Sequence, residues 1–170
     1  GMWASLYDIA KRVRDAGFSA SDFNPENSIY VGGGLKGAAL PENYREFVYE
    51  TFNIAPERNY QNYSMQELQS GMPRCQKGMR YHLPPWVVPL ILDKSGDNLL
   101  TGQSGEYEGR AAFFDLSLNG RWGGVISGDK VAIDFRPCAC GAKSPSIRDN
   151  IARFSDIEGD DKIGCAGTVD

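Results

Sequence analysis

The chain has 170 residues, of which 41% are hydrophobic and 24% are charged, and its formal net charge at pH 7 is −4. This length suits one domain, or one domain with a small appendage, and the composition is that of an ordinary globular protein. The negative charge disfavours a nucleic-acid-binding surface, and the longest apolar run, at residues 86–92, is far shorter than the ~20 residues that span a bilayer. Because the N-terminus also lacks a signal-peptide pattern, we expect no membrane partner and a cytoplasmic protein.

The first third of the chain has the pattern of an α/β protein. Apolar residues at helical spacing predict a helix over residues 3–13, and Gly17 is a typical stop. The residues that form this stripe are Leu6, Ile9, Ala10 and Val13. A β-rich run at 28–31 then leads into a turn of three glycines, Gly32, Gly33 and Gly34.

A second helix is predicted over residues 41–52, because Pro41 is favoured in a first helical turn. Its inward face consists of Tyr44, Phe47, Val48 and Thr51. An extended segment at 58–62 follows. In a parallel sheet, ligands bind at the carboxyl ends of the strands, so the loops after 31 and after 62 are expected to line one crevice. The glycines equally suit a flexible turn.

The second half of the chain is β-rich from residue 86 onward. Short apolar runs at 86–92, 109–116, 124–127 and 130–135 alternate with turns. We expect a mainly antiparallel sheet or distorted barrel beside the α/β part, whose sheet is partly parallel. The predicted divisions are 1–80, 81–150 and a hinge-like segment at 151–170.

One pentapeptide, Tyr63-Ser64-Met65-Gln66-Glu67, places an aromatic ring four positions before a carboxylate. An aromatic ring can stack on a purine, and a carboxylate can hold the magnesium of a nucleotide. An ordinary surface turn or helix start would carry the same two residues, so the pentapeptide alone decides nothing.

Three cysteines and the one histidine form a second constellation. Cys138 and Cys140 are a tight pair followed by glycine, while Cys75 precedes His82 by seven positions. Three thiolates and an imidazole suit tetrahedral zinc in a closed, structural site. The alternatives are a surface redox pair at 138 and 140 and a hydrogen-bonded loop histidine at 82. Cys165 is expected to be a small buried residue.

Two further motifs carry polar groups. In Ser127-Gly128-Asp129, a carboxylate follows a glycine turn at a strand end, where it can accept two hydrogen bonds from a ribose diol. Surface turns use the same Gly-Asp pair. Arg153, with Asp156 three positions later, suits either a functional segment or a solvated linker.

Taken in order, these motifs resemble the adenylate-forming acyl ligases. The chain is most similar to the phenylacetate-CoA ligase branch and to the acyl-protein synthetase of bacterial luminescence. The motifs that carry the resemblance run from the glycine turn at 32–34, through 63–67 and 127–129, to Cys138-Ala139-Cys140-Gly141 and Arg153-Phe154-Ser155-Asp156. The resemblance implies an enzyme that uses ATP to activate a small carboxylic acid as acyl-AMP and transfers the acyl group to a thiol, either coenzyme A or a protein.

The resemblance also implies a role for each matched residue. The backbone of Gly32, Gly33 and Gly34 would lie along the adenine of ATP or AMP, and Tyr63 would stack on it. Glu67 would hold Mg²⁺. Asp129 would bind the ribose hydroxyls, Arg153 would lie near ribose and phosphate, and Asp156 would be a hinge position. In some members of the branch, a Cys, a His and a Cys-x-Cys-Gly pair bind structural Zn²⁺, which corresponds here to Cys75, His82, Cys138 and Cys140.

Two departures from the family pattern limit what is expected of this chain. Ser64 and Gln66 stand where the family has Gly and Thr, so the Gln66 amide or the Ser64 hydroxyl would have to replace the Thr hydroxyl near the α-phosphate. The Ser/Thr/Gly-rich phosphate loop and the lysine-bearing lid of the family have no match in the sequence. We therefore expect an internal part of a longer enzyme that is inactive alone. The rival hypothesis is a zinc-stabilised α/β binding or assembly module without nucleotide chemistry.

Overall fold

The computed structural model describes residues 2–32, 38–100, 102, 104–119, 123–159, 161 and 163. The chain forms two compact units, Gly1–Asn62 and Tyr63–Asp170. Within the described ranges, no helix combines the length and the apolar character that a membrane crossing requires. The predicted functional divisions near residues 80 and 150 remain predictions.

The first unit contains two helices and a pair of parallel strands. In chain order its elements are α1 (Trp3–Asp15), a 3-10 turn (Ala20–Asp22), β1 (Ile29–Gly32), α2 (Tyr44–Phe52), a second 3-10 turn (Pro56–Arg58) and β2 (Asn59–Tyr63), whose last residue belongs to the second unit. Strand β1 pairs with β2 in parallel, with Ile29 opposite Asn59 and Gly32 opposite Asn62. The predicted partly parallel α/β arrangement is confirmed.

The core of the first unit lies between its helices and β1. Four side chains are buried there, namely Trp3, Ala10, Val31 and Val48. The inward face predicted for α2 is confirmed, because Val48 and Thr51 are buried and Tyr44 and Phe47 pack against this core. The stripe predicted for α1 is wrong at Ile9, whose side chain is 50% exposed. The buried residues of α1 are Trp3 and Ala10, and Leu6 and Tyr7 pack against the same core, so the inward stripe runs through positions 3, 6, 7 and 10.

The second unit is built on an antiparallel sheet. Its elements are β3 (Met72–Pro73), β4 (Arg80–His82), β5 (Val87–Leu92), β6 (Glu106–Asp115), β7 (Gly124–Asp134), β8 (Ser146–Arg148), β9 (Ala152–Arg153) and α3 (Phe154–Glu158). The strand order is β4-β8-β7-β6-β5, and β9 pairs with β7. The expected antiparallel sheet is confirmed. Over the described residues it is open, and the barrel alternative is not realised.

Strand β7 corrects one prediction. The runs at 124–127 and 130–135 were expected to be separate strands joined by a turn, but both lie in the continuous β7. On β6, Arg110 faces Lys130 and Ala112 faces Ile126, so three residues of β7 stand opposite one residue of β6. Gly128 therefore belongs to a β-bulge, a common reason for glycine inside a strand.

Arg110 is the one fully buried arginine among the largest buried side chains of the described residues. Its guanidinium donates to the carbonyl oxygens of Lys94 and Ser127 at 2.6–3.0 Å, and to both carboxylate oxygens of Asp161 at 2.7 and 3.0 Å. It also stacks on the Phe154 ring, with 4.6 Å between Arg110 Cζ and the ring centroid. Because a bulge takes carbonyl groups out of the strand ladder, the hydrogen bond to Ser127 gives one of them a partner. Arg110 thus connects the bulge to the segment that follows α3.

A second buried charge, Asp134, lies at the end of β7. Its carboxylate contacts Arg80, Arg136 and Arg148 at 2.8–2.9 Å. The hydrogen bond from Arg136, against the opposing effect of burial, lowers the pKa of Asp134 to about 2. The buried carboxylate is therefore charged and compensated, as a buried ion must be.

Candidate functional site

The bulge in β7 fixes the position of Asp129. The backbone N–H of Asp129 donates to the Ser127 hydroxyl at 3.1 Å. Asp129 also lies directly opposite Arg153 in the β7–β9 ladder. β-Bulges often turn a side chain away from the regular alternation of a strand and are common beside functional sites. Asp129 is therefore held inside the sheet. The prediction that it follows a glycine turn at the end of a strand is wrong.

Tyr63 reaches Asp129 from another part of the unit. Its ring packs against the core aromatics Tyr81 and Phe113, each at a centroid distance of 6.1 Å. Its hydroxyl donates to Asp129 Oδ2 at 2.7 Å. Burial, and next the negative charge of Asp129, raise the pKa of the Tyr63 phenol well above 10. The phenol therefore keeps its proton and remains a donor at physiological pH.

Arg153 completes the group. The distance from its Nε to Asp129 Oδ1 is 3.6 Å. Three separate stretches of sequence contribute Tyr63, Asp129 and Arg153. The resemblance implies a role for each of them in binding the same nucleotide. The structure brings these three residues together around one carboxylate.

The loop that follows Tyr63 carries the other predicted residues of the pentapeptide. Ser64 and Gln66 are exposed and Glu67 is half-buried. Met65 and Leu68 anchor the loop to the core, and Asp115 accepts hydrogen bonds from the backbone N–H groups of Gln69 and Ser70 at 3.1 and 2.9 Å. The loop bearing Glu67 is thus attached to the core on both sides of that residue.

The remaining predicted residues lie elsewhere. Gly32 ends β1 in the first unit, while Gly33 and Gly34 lie outside the described residues, as does Cys165. Asp156 lies on the short helix α3. Its suggested role as a hinge remains a prediction.

The four predicted metal ligands form one cluster. Cys75 lies between β3 and β4, His82 ends β4, and Cys138 and Cys140 lie between β7 and β8. Their sulfur and nitrogen atoms are all within 4.8 Å of one another. The Cys75 and Cys138 sulfurs are 3.6 Å apart, and Cys140 Sγ is 3.4 Å from His82 Nε2. A tetrahedral zinc with bonds of roughly 2.3 Å would separate two sulfurs by roughly 3.8 Å, so the arrangement fits this metal.

The backbone around the cluster is shaped to the sulfur atoms. The N–H of Gly78 donates to Cys75 Sγ at 3.1 Å. A Cβ at position 78 would overlap Cys138 Sγ and would lie 3.3 Å from Cys75 Sγ. Burial alone would raise the pKa of the Cys75 thiol, but hydrogen bonds from Gly78 and His82 outweigh it and lower that pKa to about 6. The pKa of Cys138 is raised by burial.

Several structurally important residues were not identified from the sequence. Gly78 belongs to no recognisable motif. The residues Tyr63 and Asp129, which form a hydrogen bond, are 66 positions apart in the sequence. A signal for Arg110 was present, because a charged residue inside an apolar strand such as 109–114 indicates a buried partner. Asp115, which ends the same strand, was likewise a candidate for capping backbone N–H groups.

Comparisons with known proteins identify shared structure at low sequence identity. No protein-family model matches the chain, and no curated protein matches it. A crystal structure of 2-hydroxyisobutyryl-CoA ligase in the postadenylation state, in complex with R3-HIB-AMP, is similar over 94% of this chain, with a TM-score of 0.64 and 15% identity. An open conformation of the same ligase, in complex with 2-HIB-AMP and CoA, is similar over 94% of this chain, with a TM-score of 0.60 and 16% identity.

The chain spans about a third of the length of these ligases, namely 34% of the first and 37% of the second. At this level of identity the comparison concerns the fold alone. The chain accordingly shares its fold with a part of 2-hydroxyisobutyryl-CoA ligase.

Proposed function

We propose that the chain is the nucleoside-binding part of an ATP-dependent enzyme that activates a carboxylic acid as acyl-AMP for transfer to a thiol. The observation that carries this proposal is the convergence of Tyr63 and Arg153 on Asp129, at 2.7 and 3.6 Å. The similarity in fold to acyl-CoA ligases that were solved with acyl-adenylates supports it. Within this group, the order of motifs favours the phenylacetate-CoA ligase branch.

The proposed reaction is an in-line attack of the acid's carboxylate on the α-phosphorus of ATP, which releases pyrophosphate. Tyr63 would provide an aromatic surface for the adenine. The roles predicted for Gly32, Gly33 and Gly34 along the adenine remain predictions. Asp129 would accept hydrogen bonds from the ribose diol, and the cationic Arg153 beside it would face ribose and phosphate. These groups bind and orient the nucleotide, and orientation is a large part of phosphoryl-transfer catalysis.

Glu67 is the residue proposed to hold Mg²⁺, which would neutralise charge on the phosphates. Ser64 and Gln66, both exposed in the same loop, would offer a hydroxyl and an amide near the α-phosphate. The acyl acceptor is proposed to be coenzyme A or a protein thiol. One similar ligase was solved with CoA.

Binding of AMP tests the proposal. We expect weak binding by the wild-type chain in a calorimetric or NMR titration, and a loss of at least about tenfold in Asp129→Ala, because hydrogen bonds to a carboxylate contribute roughly 1.5–3 kcal/mol. Asp97→Ala changes a carboxylate on an exposed loop of the second unit and is expected to bind AMP like the wild type. We expect no ATP–pyrophosphate exchange from the chain alone.

The rival function is a zinc-stabilised binding or assembly module. Both functions allow zinc, so metal content does not distinguish them. Failure of AMP to bind the wild-type chain or a longer protein containing it would favour the module.

We also propose that Cys75, His82, Cys138 and Cys140 hold one structural Zn²⁺. Four protein ligands would leave no position for a substrate or water, which is typical of a structural site. Elemental analysis is expected to find about one zinc per chain in the wild type and much less in Cys138→Ser. A wild-type chain without zinc, purified without chelator, would contradict this assignment.

A further inference from the structure

The hydroxyl of Tyr63 has a role that its ring does not explain. A stacking role requires only the aromatic ring, which packs on Tyr81 and Phe113. The hydroxyl points instead at Asp129 Oδ2, at 2.7 Å. Phenylalanine would provide the same stacking surface without this hydrogen bond.

Asp129 is otherwise held mainly through its backbone. The ladder with Arg153 and the hydrogen bond to Ser127 fix its Cα position, but they leave the rotation of the carboxylate about the Cα–Cβ bond to its own contacts. Arg153 Nε is 3.6 Å from Oδ1, a distance beyond an ordinary hydrogen bond. Of the two side-chain contacts that the structure describes at this carboxylate, the hydrogen bond from Tyr63 is the shorter, and it orients Oδ2.

The carboxylate retains capacity for a ligand after this contact is made. Each carboxylate oxygen accepts two hydrogen bonds, so an Asp129 bound to Tyr63 through Oδ2 can still accept from both hydroxyls of a ribose. The side chain of Asp129 is 16% exposed, so a part of it is accessible to a ligand. A diol can donate one hydrogen bond to each carboxylate oxygen only when both oxygens face its two hydroxyls, so the orientation of the carboxylate affects the strength of the interaction.

We propose that Tyr63 is a positioning residue: its hydroxyl fixes the Asp129 carboxylate in the orientation that binds a ribose diol, and so selects ribonucleotides over deoxyribonucleotides. This inference rests on the proposed function, because it assumes a nucleotide at Asp129. The ring and the hydroxyl then have separable roles, the ring for adenine and the hydroxyl for sugar selection. The phenol remains a donor throughout the neutral range, because burial raises its pKa.

The test compares AMP with 2′-deoxy-AMP and 3′-deoxy-AMP on the wild-type chain and on Tyr63→Phe, by NMR titration. In Tyr63→Phe the affinity for AMP is expected to fall about tenfold, near the lower end of the loss that one hydrogen bond to a charged group causes. The affinities for the two deoxynucleotides are expected to change by less than about twofold. The preference for ribose, measured as the ratio of affinities, therefore falls in the variant.

Tyr81→Phe is the matched control. The Tyr81 hydroxyl donates to Asp149 Oδ1 at 2.8 Å, so this variant also loses a tyrosine–aspartate hydrogen bond while it keeps an aromatic ring. It is expected to leave the ribose preference unchanged. Far-UV circular dichroism and thermal unfolding of each variant verify the fold.

The possible outcomes distinguish failure of the positioning role of Tyr63 from failure of the proposed function. An equal loss for all three nucleotides in Tyr63→Phe would overturn the positioning role, because a structural defect does not distinguish sugars. An unchanged affinity for AMP would overturn it as well, and both results would leave the proposed function intact. Absence of AMP binding by the wild-type chain would overturn the proposed function, and the positioning role with it. In Asp129→Asn, addition of Tyr63→Phe is expected to cause no further loss, since the hydroxyl acts through the carboxylate.

Discussion

Gly78 lies beside the sulfur atoms of Cys75 and Cys138, which leave no room for a larger side chain at this position. A methyl group at this position would overlap Cys138 Sγ, so we predict that Gly78→Ala pushes the sulfurs apart. Overpacking of this kind costs about 1–3 kcal/mol, and part of that cost falls on metal binding. Zinc affinity, measured by competition with a chromogenic chelator, is expected to fall about tenfold.

Gly32→Ala is a suitable comparison for this variant. A Cβ at Gly32 would meet no atom within 4 Å, and its backbone is that of a strand. We expect unchanged zinc affinity in Gly32→Ala. Equal losses in both variants would show that the space at Gly78 is not the cause.

Residue types were more predictable than residue contacts. Three cysteines and a histidine are ligand types that suit zinc, and the structure brings their ligand atoms within 4.8 Å of one another. The contact between Tyr63 and Asp129 depends on a bulge that aims one side chain. Sequence patterns with a period of two do not register such a bulge, so this contact could not be predicted.

At the scale of elements, Arg110 connects the bulge in β7 with the segment after α3 through Asp161. We predict that Arg110→Met lowers the free energy of unfolding of the second unit by about 3–5 kcal/mol, because it leaves the buried Asp161 carboxylate unpaired. Chemical denaturation measures this loss. Limited proteolysis is expected to cleave the segment at 154–163 faster in the variant.

Lys94→Met provides the matched control for this element. The Lys94 ammonium pairs with Glu158 of α3 at 2.9 Å, and both side chains are well exposed. A surface ion pair contributes less than about 1 kcal/mol, so little change is expected. A loss as large as that of Arg110→Met would mean that surface charge, and not the buried guanidinium, holds the segment.

Element types were predicted well, and their boundaries less so. Helix α2 begins at Tyr44 instead of Pro41, because residues 41–43 form a turn that precedes the helix. The apparent break at 127–129 has the composition of a turn, yet β6 on one side and β9 on the other hold β7 together. Tertiary pairing overrode local turn propensity at this point.

At the scale of the whole molecule, two buried carboxylates whose pKa is lowered to about 2 contribute to stability in acid. The hydrogen bond from Arg136 lowers the pKa of Asp134 to about 2. Burial opposes the shift at Asp115, but hydrogen bonds from Ser117 and Ser70 lower its pKa to about 2 as well. Both groups have an ordinary value of 3.8. Their contribution is therefore fully present above about pH 4 and is lost as the pH falls through about 2, at roughly 2 kcal/mol each.

Urea unfolding at pH 7, 4 and 2.5 measures this loss. In Asp115→Asn the stability is expected to decrease less steeply between pH 4 and 2.5 than in the wild type. Asp15→Asn, which changes an exposed carboxylate on α1, is expected to retain the wild-type slope. Any effect of the Cys/His cluster on stability is the same in the wild type and in both variants, so it cancels when their pH slopes are compared. Identical slopes in all three would contradict the assignment.

The division of the molecule into a partly parallel and an antiparallel part was predictable, because helices alternate with strands in the first third and short β-runs follow each other later. The arginines around Asp134 were not. They come from β4, from β8 and from the residue that follows β7 by two positions, and only the strand order brings them together. A sheet order of β4-β8-β7 is a non-local property that no single segment encodes.

The position of Asp129 inside β7 has a consequence for how ligand binding would be observed. The amide protons of β6, β7 and β9 belong to one hydrogen-bonded ladder, and they exchange with solvent only when that ladder opens. A ligand that binds Asp129 stabilises the closed ladder by mass action. Nucleotide binding would therefore slow hydrogen exchange across all three strands together, where a carboxylate on a turn would have protected only its own loop.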